Sequence, residues 1–346
     1  MILALVAVGL LVLTLVFNPL HLLMSLVTGE GGFPPHLVAG PKLQEIWIKD
    51  SDSRNKVVII PVEGIITSQG LGRSGFNMVD VIKDQFKHAA EDKNVKAVVL
   101  KVNSPGGEVL ASDDIYHIVE DFQNKSGKPV VAAMGSLAAS GGYYVSAPCR
   151  WIVANELTIT GSIGVIMHGY NFRGLMDKIG VRPEVFKSGK FKDMLSPDKR
   201  EQDITQEERE MIQSMVNETF DKFKSIVAEG RGDAAKLNGG LPEPGRVLTE
   251  NWQQYADGRI LSGKEALKLG FVDEVGSFEA AVQRAQKLAG IPEASLVQYQ
   301  QVFDLGDLLG IFGKSEAHTL KIDLGLDAPR LQTGRLYFLC PIVLPR

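Results

Sequence analysis

Residues 95–107 read VKAVVLKVNSPGG, and this short segment already indicates the fold class. Its first half is dominated by apolar, β-branched residues, which is typical of a strand buried on both faces of a parallel sheet. Its second half combines Asn, Ser, Pro and two glycines, which is the composition of a turn. Ligands of open parallel sheets bind outside the carboxyl ends of the strands, so a functional site is expected at this loop.

Strands and helices alternate on either side of this segment. The predicted elements around it are strands at residues 57–62, 129–134 and 151–154 and helices at residues 78–91 and 112–122, the second with Ser112 as its N-cap. Alternation of this kind predicts an α/β fold, in which βαβ units build a parallel sheet.

Two further helices carry their own start signals. Thr205 and Glu208 form the T-x-x-E pattern of a capping box, so a helix is predicted to run from Thr205 as far as Gly230. Residues 277–289 have the pattern of a second capped helix. The alternation is lost after this helix, and residues 291–346 are interpreted as a C-terminal extension.

The N-terminal segment has a different composition. Between residues 1 and 29 there is no Asp, Glu, Lys or Arg, and the apolar run is long enough for a bilayer core, which takes about 20 residues. A cleaved signal peptide would instead show a basic start and a small-residue cleavage site. We therefore predict a transmembrane signal-anchor at residues 1–28, a linker at residues 29–55 and a folded domain at residues 56–290.

Composition narrows the functional classes. Hydrophobic residues make up 45% of the chain and charged residues 23%, which are ordinary values for a globular protein. The formal net charge is -4, so nucleic-acid binding has little support. Cys149 and Cys340 cannot form a disulfide framework and lack the spacing of a metal site. We expect no nucleic-acid partner, no metal and no cofactor.

Three glycine-rich loops follow predicted strands, at residues 103–107, 135–144 and 160–165. Paired glycines let backbone N–H groups approach a substrate oxygen, because no Cβ stands in the way. Ser140 lies in the second loop and opens a predicted short helix, whose unpaired N–H groups favour an oxyanion. Ser140 is the best candidate nucleophile, although a serine before a helix is more often only an N-cap.

A serine nucleophile needs a base, and the residues alone leave two kinds open. His168 follows the third glycine loop and is the one credible histidine. A lysine can also deprotonate a serine when burial lowers its pKa, and Lys187, Lys190 and Lys192 cluster in one segment. Spacing does not choose among these four side chains.

Five longer motifs are more specific than these general patterns. They are KVNSPGG (101–107), MGSLAASGGYY (134–144), TITGSIGV (158–165), KSGKFKD (187–193) and DGRILSGKEALKLGFVD (257–273). With them the chain resembles the short, single-unit form of the signal peptide peptidase A family, within the ClpP/crotonase superfamily. The resemblance covers residues 56–290 and implies stacked βαβ units around a parallel sheet and a serine peptidase that uses a Ser/Lys dyad.

The resemblance also implies roles for single residues. The family nucleophile, in the A-S-G-G-Y motif, falls on Ser140, and the family base, which ends S-G-x-x-K, falls on Lys192. The backbone N–H groups of Gly107 and Gly141 are expected to form the oxyanion hole. Ser162 is expected among the polar groups near the lysine.

A membrane-anchored endopeptidase is the function that the resemblance implies. Its expected substrates are signal peptides or other apolar, extended peptides, and its expected location is the cell membrane, with a single span and an extracytoplasmic peptidase domain. A homo-oligomer is expected, in which Ser140 and Lys192 can come from different chains. The alternatives are a Ser140/His168 triad in the same fold, a crotonase-like acyl-CoA enzyme and a non-catalytic membrane scaffold.

The C-terminal end is apolar and matches no family motif. Residues 336–345 are all apolar or proline, and such a segment is costly to leave in water, at about 25 cal/mol per Å² of apolar area. Three locations are open for it: packed against the domain or a neighbouring subunit, inserted at the membrane surface, or seated in the substrate groove as an extended peptide.

Overall fold

The computed structural model describes residues 40–70, 76–302 and 335–340. The predicted signal-anchor, residues 1–28, lies outside the described residues, and so does the first part of the predicted linker. Within the described ranges, no helix combines the length and the apolar character that a membrane span needs.

Strands and helices alternate along most of the chain. The strands are β1 (Leu43–Lys49), β2 (Lys56–Glu63), β3 (Val95–Ser104), β4 (Gly106–Glu108), β5 (Val130–Ala139), β6 (Trp151–Ala154), β7 (Ile159–Gly161), β8 (Ile166–Met167), β9 (Ile260–Ser262), β10 (Glu274–Val275), β11 (Ser295–Gln301) and β12 (Leu336–Leu339). The helices are α1 (Met78–Glu91), α2 (Val109–Ser126), α3 (Gly141–Ser146), α4 (Arg173–Lys178), α5 (Gln206–Asn238), α6 (Gly263–Leu269) and α7 (Phe278–Leu288).

A largely parallel sheet forms the centre of the fold, in the order β1-β11-β2-β3-β5-β6-β10. The neighbours from β11 to β10 pair in parallel, β1 pairs antiparallel with β11, and β7 extends the sheet by pairing in parallel with the end of β5. This arrangement confirms the predicted α/β class with a parallel sheet. A second, small sheet has the order β4-β12-β8.

Strand β3 is buried on both faces, as its sequence predicts. Val98, Leu100 and Val102 belong to the larger core, which α1, α2, α3 and part of α5 cover. Ala97 and Val99 belong to the smaller core on the opposite face, which α7 covers. The sheet is therefore packed on both faces, and this packing fixes the loops at the carboxyl ends of its strands.

The predicted N-cap at Ser112 is wrong. Helix α2 begins at Val109, and the Ser112 hydroxyl lies inside the helix, where it donates to the backbone carbonyl of Glu108 at 2.9 Å. Serine can satisfy its hydroxyl in this way within a helix, so its presence alone does not mark a helix start.

Helix α5 starts as predicted but is longer. Both hydrogen bonds of the Thr205–Glu208 capping box are present. The helix passes through Gly230 and ends at Asn238, because Gly230 is needed for close packing rather than for a stop. A Cβ on Gly230 would lie 2.4 Å from the carbonyl oxygen of Ala147.

The sheet extends past both ends of the predicted domain at residues 56–290. β1 lies in the segment interpreted as a linker, and β11 lies in the segment interpreted as a C-terminal extension. β11 sits between β1 and β2 and pairs with both. Its sequence, SLVQYQQ, has too short an apolar run to be predicted as a buried strand, although Leu296, Val297 and Tyr299 pack in the two cores.

A buried ion pair connects α5 to the loop that precedes β10. The Arg231 guanidinium bonds to the Asp273 carboxylate, with both side chains almost fully buried, and it also donates to the carbonyl oxygen of Cys149 at 2.9 Å. Asp273 in turn accepts from the backbone N–H of Ile152 at 2.8 Å. These bonds join α5, the end of α3 and β6.

Replacing Arg231 by leucine should lower the free energy of unfolding by about 3–5 kcal/mol, because it leaves a buried carboxylate without its partner. Urea denaturation followed by circular dichroism measures the change. Lys236→Ala, on the same helix but in an exposed ion pair with Asp233, should leave the stability unaltered. Equal effects of the two substitutions would contradict a special role for the buried pair.

Candidate active site

Ser140 lies at the junction between β5 and α3, at the carboxyl edge of the sheet. Its backbone has φ 55° and ψ -117°, which is unusual for a residue other than glycine. Two hydrogen bonds hold this conformation: the Ser140 N–H donates to the Gly161 carbonyl at 2.8 Å, and the Ser140 carbonyl accepts from the Tyr144 N–H at 2.8 Å. Strained residues that the surroundings enforce cluster at functional sites.

The Ser140 side chain is buried and unpaired. The residue is 1% exposed, and its Oγ has no hydrogen-bond partner among the described residues. The N-cap alternative for Ser140 is not supported, because its side chain makes no capping hydrogen bond to α3. A buried hydroxyl without a partner is rare in folded proteins and is compatible with a reactive group.

Three glycines bring two loops together beside Ser140. A Cβ on Gly107 would lie 1.9 Å from the carbonyl oxygen of Ile66, and a Cβ on Gly141 would lie 3.0 Å from the Cα of Gly106 and 3.1 Å from the amide nitrogen of Gly107. Only glycine allows backbones to approach this closely. Gly107 and Gly141 therefore lie close to one another, and their assignment to an oxyanion hole stays a prediction.

Ser162 lies on the neighbouring loop, directly after β7. The pairing of β5 with β7 places Gly161 opposite Ala139, so the loop that carries Ser162 borders the one that carries Ser140. Ser162 is nearly buried, with φ 49°, and its N–H donates to the Arg259 carbonyl at 2.7 Å. It lines a cavity of about 520 Å³.

Lys192 is exposed and is not bonded to Ser140. It belongs to residues 169–204, in which no residue is buried. Its two neighbours are in ion pairs, Lys187 with Asp193 at 2.8 Å and Lys190 with Glu207 at 2.5 Å, whereas the described residues offer Lys192 no such partner. The single chain therefore does not assemble the predicted dyad.

His168 does not complete a triad with Ser140 either. Its ring is half-buried and packs edge-on against the ring of Tyr170, with 4.9 Å between the centroids. Because the Ser140 Oγ has no partner among the described residues, no hydrogen bond joins it to this histidine.

Strand β12 lies directly beside these loops. Tyr337, Phe338 and Leu339 pair antiparallel with β4, and the other edge of the strand pairs with β8. The side chains from Tyr337 to Cys340 are buried in the protein. The prediction that the C-terminal end packs against the domain is confirmed for these residues, and insertion of the same residues at a membrane surface is excluded.

Glu108, directly after Gly107, makes contacts beside the candidate site that the sequence analysis missed. Its carboxylate accepts hydrogen bonds from the Ser68 and Thr67 hydroxyls and pairs with Arg335 at 2.9 Å. Burial alone would raise the pKa of Glu108, but these hydrogen bonds and the Arg335 guanidinium hold the pKa below its usual value. The hydrogen bonds and the ion pair of Glu108 are therefore fully formed above the usual glutamate pKa. They are lost as the pH falls through the lowered pKa of Glu108.

The signal for Glu108 is its position directly after the Pro-Gly-Gly turn, but nothing in the sequence indicates that an arginine near the C-terminus reaches it. Tyr144 and Phe223 were missed as well. They form aromatic contacts with Phe338 across elements that are distant in sequence.

Comparisons with known proteins show the family of this chain. The profile of peptidase family S49 matches residues 122–239 and 243–292. A chain named signal peptide peptidase SppA from Enterococcus faecium is 35% identical over 263 residues, which are 75% of this chain and 71% of that protein. A chain named as a protease from Synechocystis sp. is 35% identical over 283 residues, 81% of this chain and 92% of that protein.

The chain belongs to the signal peptide peptidase A family, peptidase family S49. It is a serine peptidase. Protease 4 of Haemophilus influenzae is 34% identical over 70% of this chain, which matches only 36% of that longer protein. Among solved structures, a mutant of the 1510-N membrane-bound stomatin-specific protease matches 68% of this chain and 86% of its own chain, with 16% identity and a TM-score of 0.38. A likeness at this level adds nothing about function.

Gly107→Ala should lower the kcat of this S49 peptidase about 100-fold to 1000-fold, because the new Cβ displaces the N–H that is expected to stabilise the oxyanion. Peptide hydrolysis measures the rate. Gly232→Ala on α5 is the matched control, since its Cβ would meet nothing within 4 Å and alanine favours a helix. A Gly107→Ala enzyme that is folded and fully active would exclude Gly107 from the oxyanion hole.

Proposed function

We propose that this chain is a membrane-anchored endopeptidase that degrades signal peptides or other apolar, extended peptides with a Ser140/Lys192 dyad. The observation that carries the proposal is the Ser140 hydroxyl, which is buried on a strained backbone beside Gly107 and Gly141 and has no hydrogen-bond partner in the described part of the chain. A nucleophile needs a free hydroxyl next to oxyanion donors, and this arrangement offers both.

Among Lys187, Lys190 and Lys192, the ion pairs of the first two favour Lys192 as the base. Lys187 and Lys190 are each engaged by a carboxylate, which stabilises their charged forms and disfavours a role as proton acceptors. Among the described residues Lys192 has no such partner, and it is solvent-exposed in the single chain. A base of this kind becomes effective when a second surface covers it and removes water.

We propose that a second copy of the same chain provides the surface that covers Lys192. Residues 169–204 expose many large apolar side chains for so short a segment: Tyr170, Phe172, Leu175, Ile179, Val181, Val185, Phe186 and Leu195. A concentration of exposed apolar residues is typical of an interaction surface. Docking of this segment on a neighbouring subunit would bury these side chains and bring Lys192 to the Ser140 of that neighbour. The oligomer then has one composite site per interface.

The chemistry follows from these positions. The Ser140 Oγ attacks the carbonyl carbon of the scissile bond, and the neutral Lys192 amine takes the hydroxyl proton. The N–H groups of Gly107 and Gly141 stabilise the oxyanion as the tetrahedral intermediate forms. Lys192 returns the proton to the leaving amine, and water then hydrolyses the acyl-enzyme with Lys192 as its base.

The proposed substrate class follows from the strands beside the site, and the proposed location follows from the N-terminal segment. An extended peptide that takes the place of β12 can pair with the backbone edges of β4 and β8, which gives affinity through main-chain hydrogen bonds. The apolar side chains around them favour apolar peptides. Residues 1–28 would hold the enzyme at the cell membrane, with the peptidase domain on the extracytoplasmic side, where signal peptides are released.

Ser140→Ala and Lys192→Ala should each abolish hydrolysis of an apolar signal-peptide substrate and leave the thermal unfolding temperature unchanged. Lys190→Ala is the matched control and should keep full activity, since it loses only an exposed ion pair with Glu207 and a contact with the Phe191 ring. The wild-type rate should rise with pH, because the base must be neutral. An active Lys192→Ala enzyme, together with an inactive His168→Ala enzyme, would replace the dyad by the Ser140/His168 triad.

Mixing tests whether the dyad is shared between subunits. Co-expressed Ser140→Ala and Lys192→Ala chains should recover up to about a quarter of the wild-type rate, because one interface in four combines two intact residues in a randomly mixed ring. Separately purified variants should be inactive. If the co-expressed mixture is also inactive although the chains associate, Ser140 and Lys192 must act within one chain.

A further inference from the structure

We propose that Asp193 and Lys199 are positioning residues for Lys192, because they connect the segment that carries this base to the first turn of α5 through a chain of ion pairs. The inference deepens the proposed function and rests on it. Neither residue touches the substrate, and each acts only through the place that it gives to Lys192.

A base on an exposed segment needs support from outside that segment. Catalytic groups have to be held within about 0.5 Å of their productive place, and a misplacement of about 1 Å can lower the rate about 100-fold. Lys192 lies in residues 169–204, where no residue is buried, so apolar packing does not hold it. Its N–H donates to the carbonyl of Gly189 at 3.2 Å, which is a contact within the same segment.

Asp193 directly follows Lys192 and is held from two sides. One of its carboxylate oxygens accepts from the Lys187 ammonium at 2.8 Å, and the other accepts from Lys199 at 3.4 Å. The hydrogen bond from Lys187, together with that from Lys199, holds the pKa of Asp193 below its usual value. Two bonds to different side chains restrict the Asp193 carboxylate, and they thereby restrict the backbone that it shares with Lys192.

Lys199 extends the connection to α5. Its ammonium also donates to the Glu208 carboxylate at 2.5 Å, and the side chains of Lys199 and Glu208 are only 11% and 4% exposed. The second carboxylate oxygen of Glu208 accepts from the Thr205 N–H at 2.8 Å, as part of the capping box of α5. The bond between them lowers the pKa of Glu208 and raises the pKa of Lys199. Lys199 is therefore a charged bridge between Asp193 and the start of the helix.

Helix α5 is a firm support for this chain of ion pairs. Its later turns bury Phe223, Ile226 and Val227 in the larger core. Because α5 is one continuous helix from its capping box onward, its first turn has a fixed place relative to that core. The ion pairs thus attach Lys192 to a rigid body, which can present it to the neighbouring subunit in a defined position.

A second ion pair between the same two elements offers a matched comparison. Lys190 bonds to Glu207, the residue before Glu208 on α5, but these side chains are 65% and 56% exposed. Water screens an exposed ion pair, which then contributes little, whereas breaking a buried pair leaves an uncompensated charge. Lys199 also bonds to two carboxylates and not to one. The expected support of Lys192 therefore comes from Lys199, and Lys190 is the control.

Steady-state hydrolysis of an apolar peptide tests the positioning role. Lys199→Ala and Asp193→Ala should each lower kcat about 10-fold to 100-fold and change KM by less than about twofold, because a misplaced base affects the chemical step and not the peptide-binding strands. Lys190→Ala should keep the wild-type kcat. Lys199→Arg should recover most of the lost activity, since a guanidinium has enough donors for both carboxylates.

These measurements separate the positioning role from the proposed function. An inactive Lys192→Ala enzyme together with an unaltered kcat in Lys199→Ala would overturn the positioning role alone. Equal losses in Lys199→Ala and Lys190→Ala would overturn it as well, because burial would then make no difference. A fully active Lys192→Ala enzyme would reject both the dyad and its support.

Co-expression distinguishes support of Lys192 from a general effect on folding or association. In the mixture of Ser140→Ala and Lys192→Ala chains, the first chain supplies Lys192 and the second supplies Ser140. Lys199→Ala added to the Ser140→Ala chain should lower the recovered rate about 10-fold to 100-fold. The same substitution added to the Lys192→Ala chain should leave the recovered rate unchanged, because that chain has no base to position.

The two placements give a clear decision. Equal losses from both would show that Lys199 acts on the fold or on association, and the assignment would be wrong. If the mixture without Lys199→Ala is already inactive, the dyad lies within one chain, and the kcat values of the single variants decide the assignment.

Discussion

The close approach of backbones at Gly106, Gly107 and Gly141 is the constraint on which the site depends. Each of these residues lies against another backbone, closer than any side chain would permit. The approach places the loop after β3 against the start of α3, and it leaves room for a carbonyl oxygen between amide groups. Ser140 directly precedes Gly141 and has a strained backbone conformation, which its hydrogen bonds to Gly161 and Tyr144 hold in place.

In the proposed mechanism, one chain supplies only part of the catalytic apparatus. Ser140 is buried in the layer that the parallel sheet supports, where both cores and the Arg231–Asp273 pair hold the loops in place. Lys192 lies instead on an exposed, apolar segment with little packing of its own. A rigidly held Ser140 and a Lys192 on an unpacked segment are what we expect if the proposed site is completed by assembly.

Many of the strands and helices could be predicted from the sequence, for reasons that differ from element to element. Strand β3 and helix α1 were predicted because their apolar residues follow the period of a buried strand and of an amphipathic helix. The start of α5 was predicted because the Thr205–Glu208 capping box is local. The end of α5 was not, because Gly230 serves a contact with α3. β11 was missed because Leu296, Val297 and Tyr299 are its only apolar residues, although all three pack in the cores.

The sequence by itself determined the α/β class, the family, and Ser140 as the candidate nucleophile, since these depend on local patterns and on motifs. Only the tertiary structure decided what surrounds Ser140. Glu108 meets Arg335, and Phe338 meets Tyr144 and Phe223, over separations along the chain that carry no periodic signal. Backbone pairing between β4 and β12 is likewise indifferent to side-chain identity. The position of the C-terminal strand beside the nucleophile was therefore fixed by folding and could not be derived from any stretch of sequence.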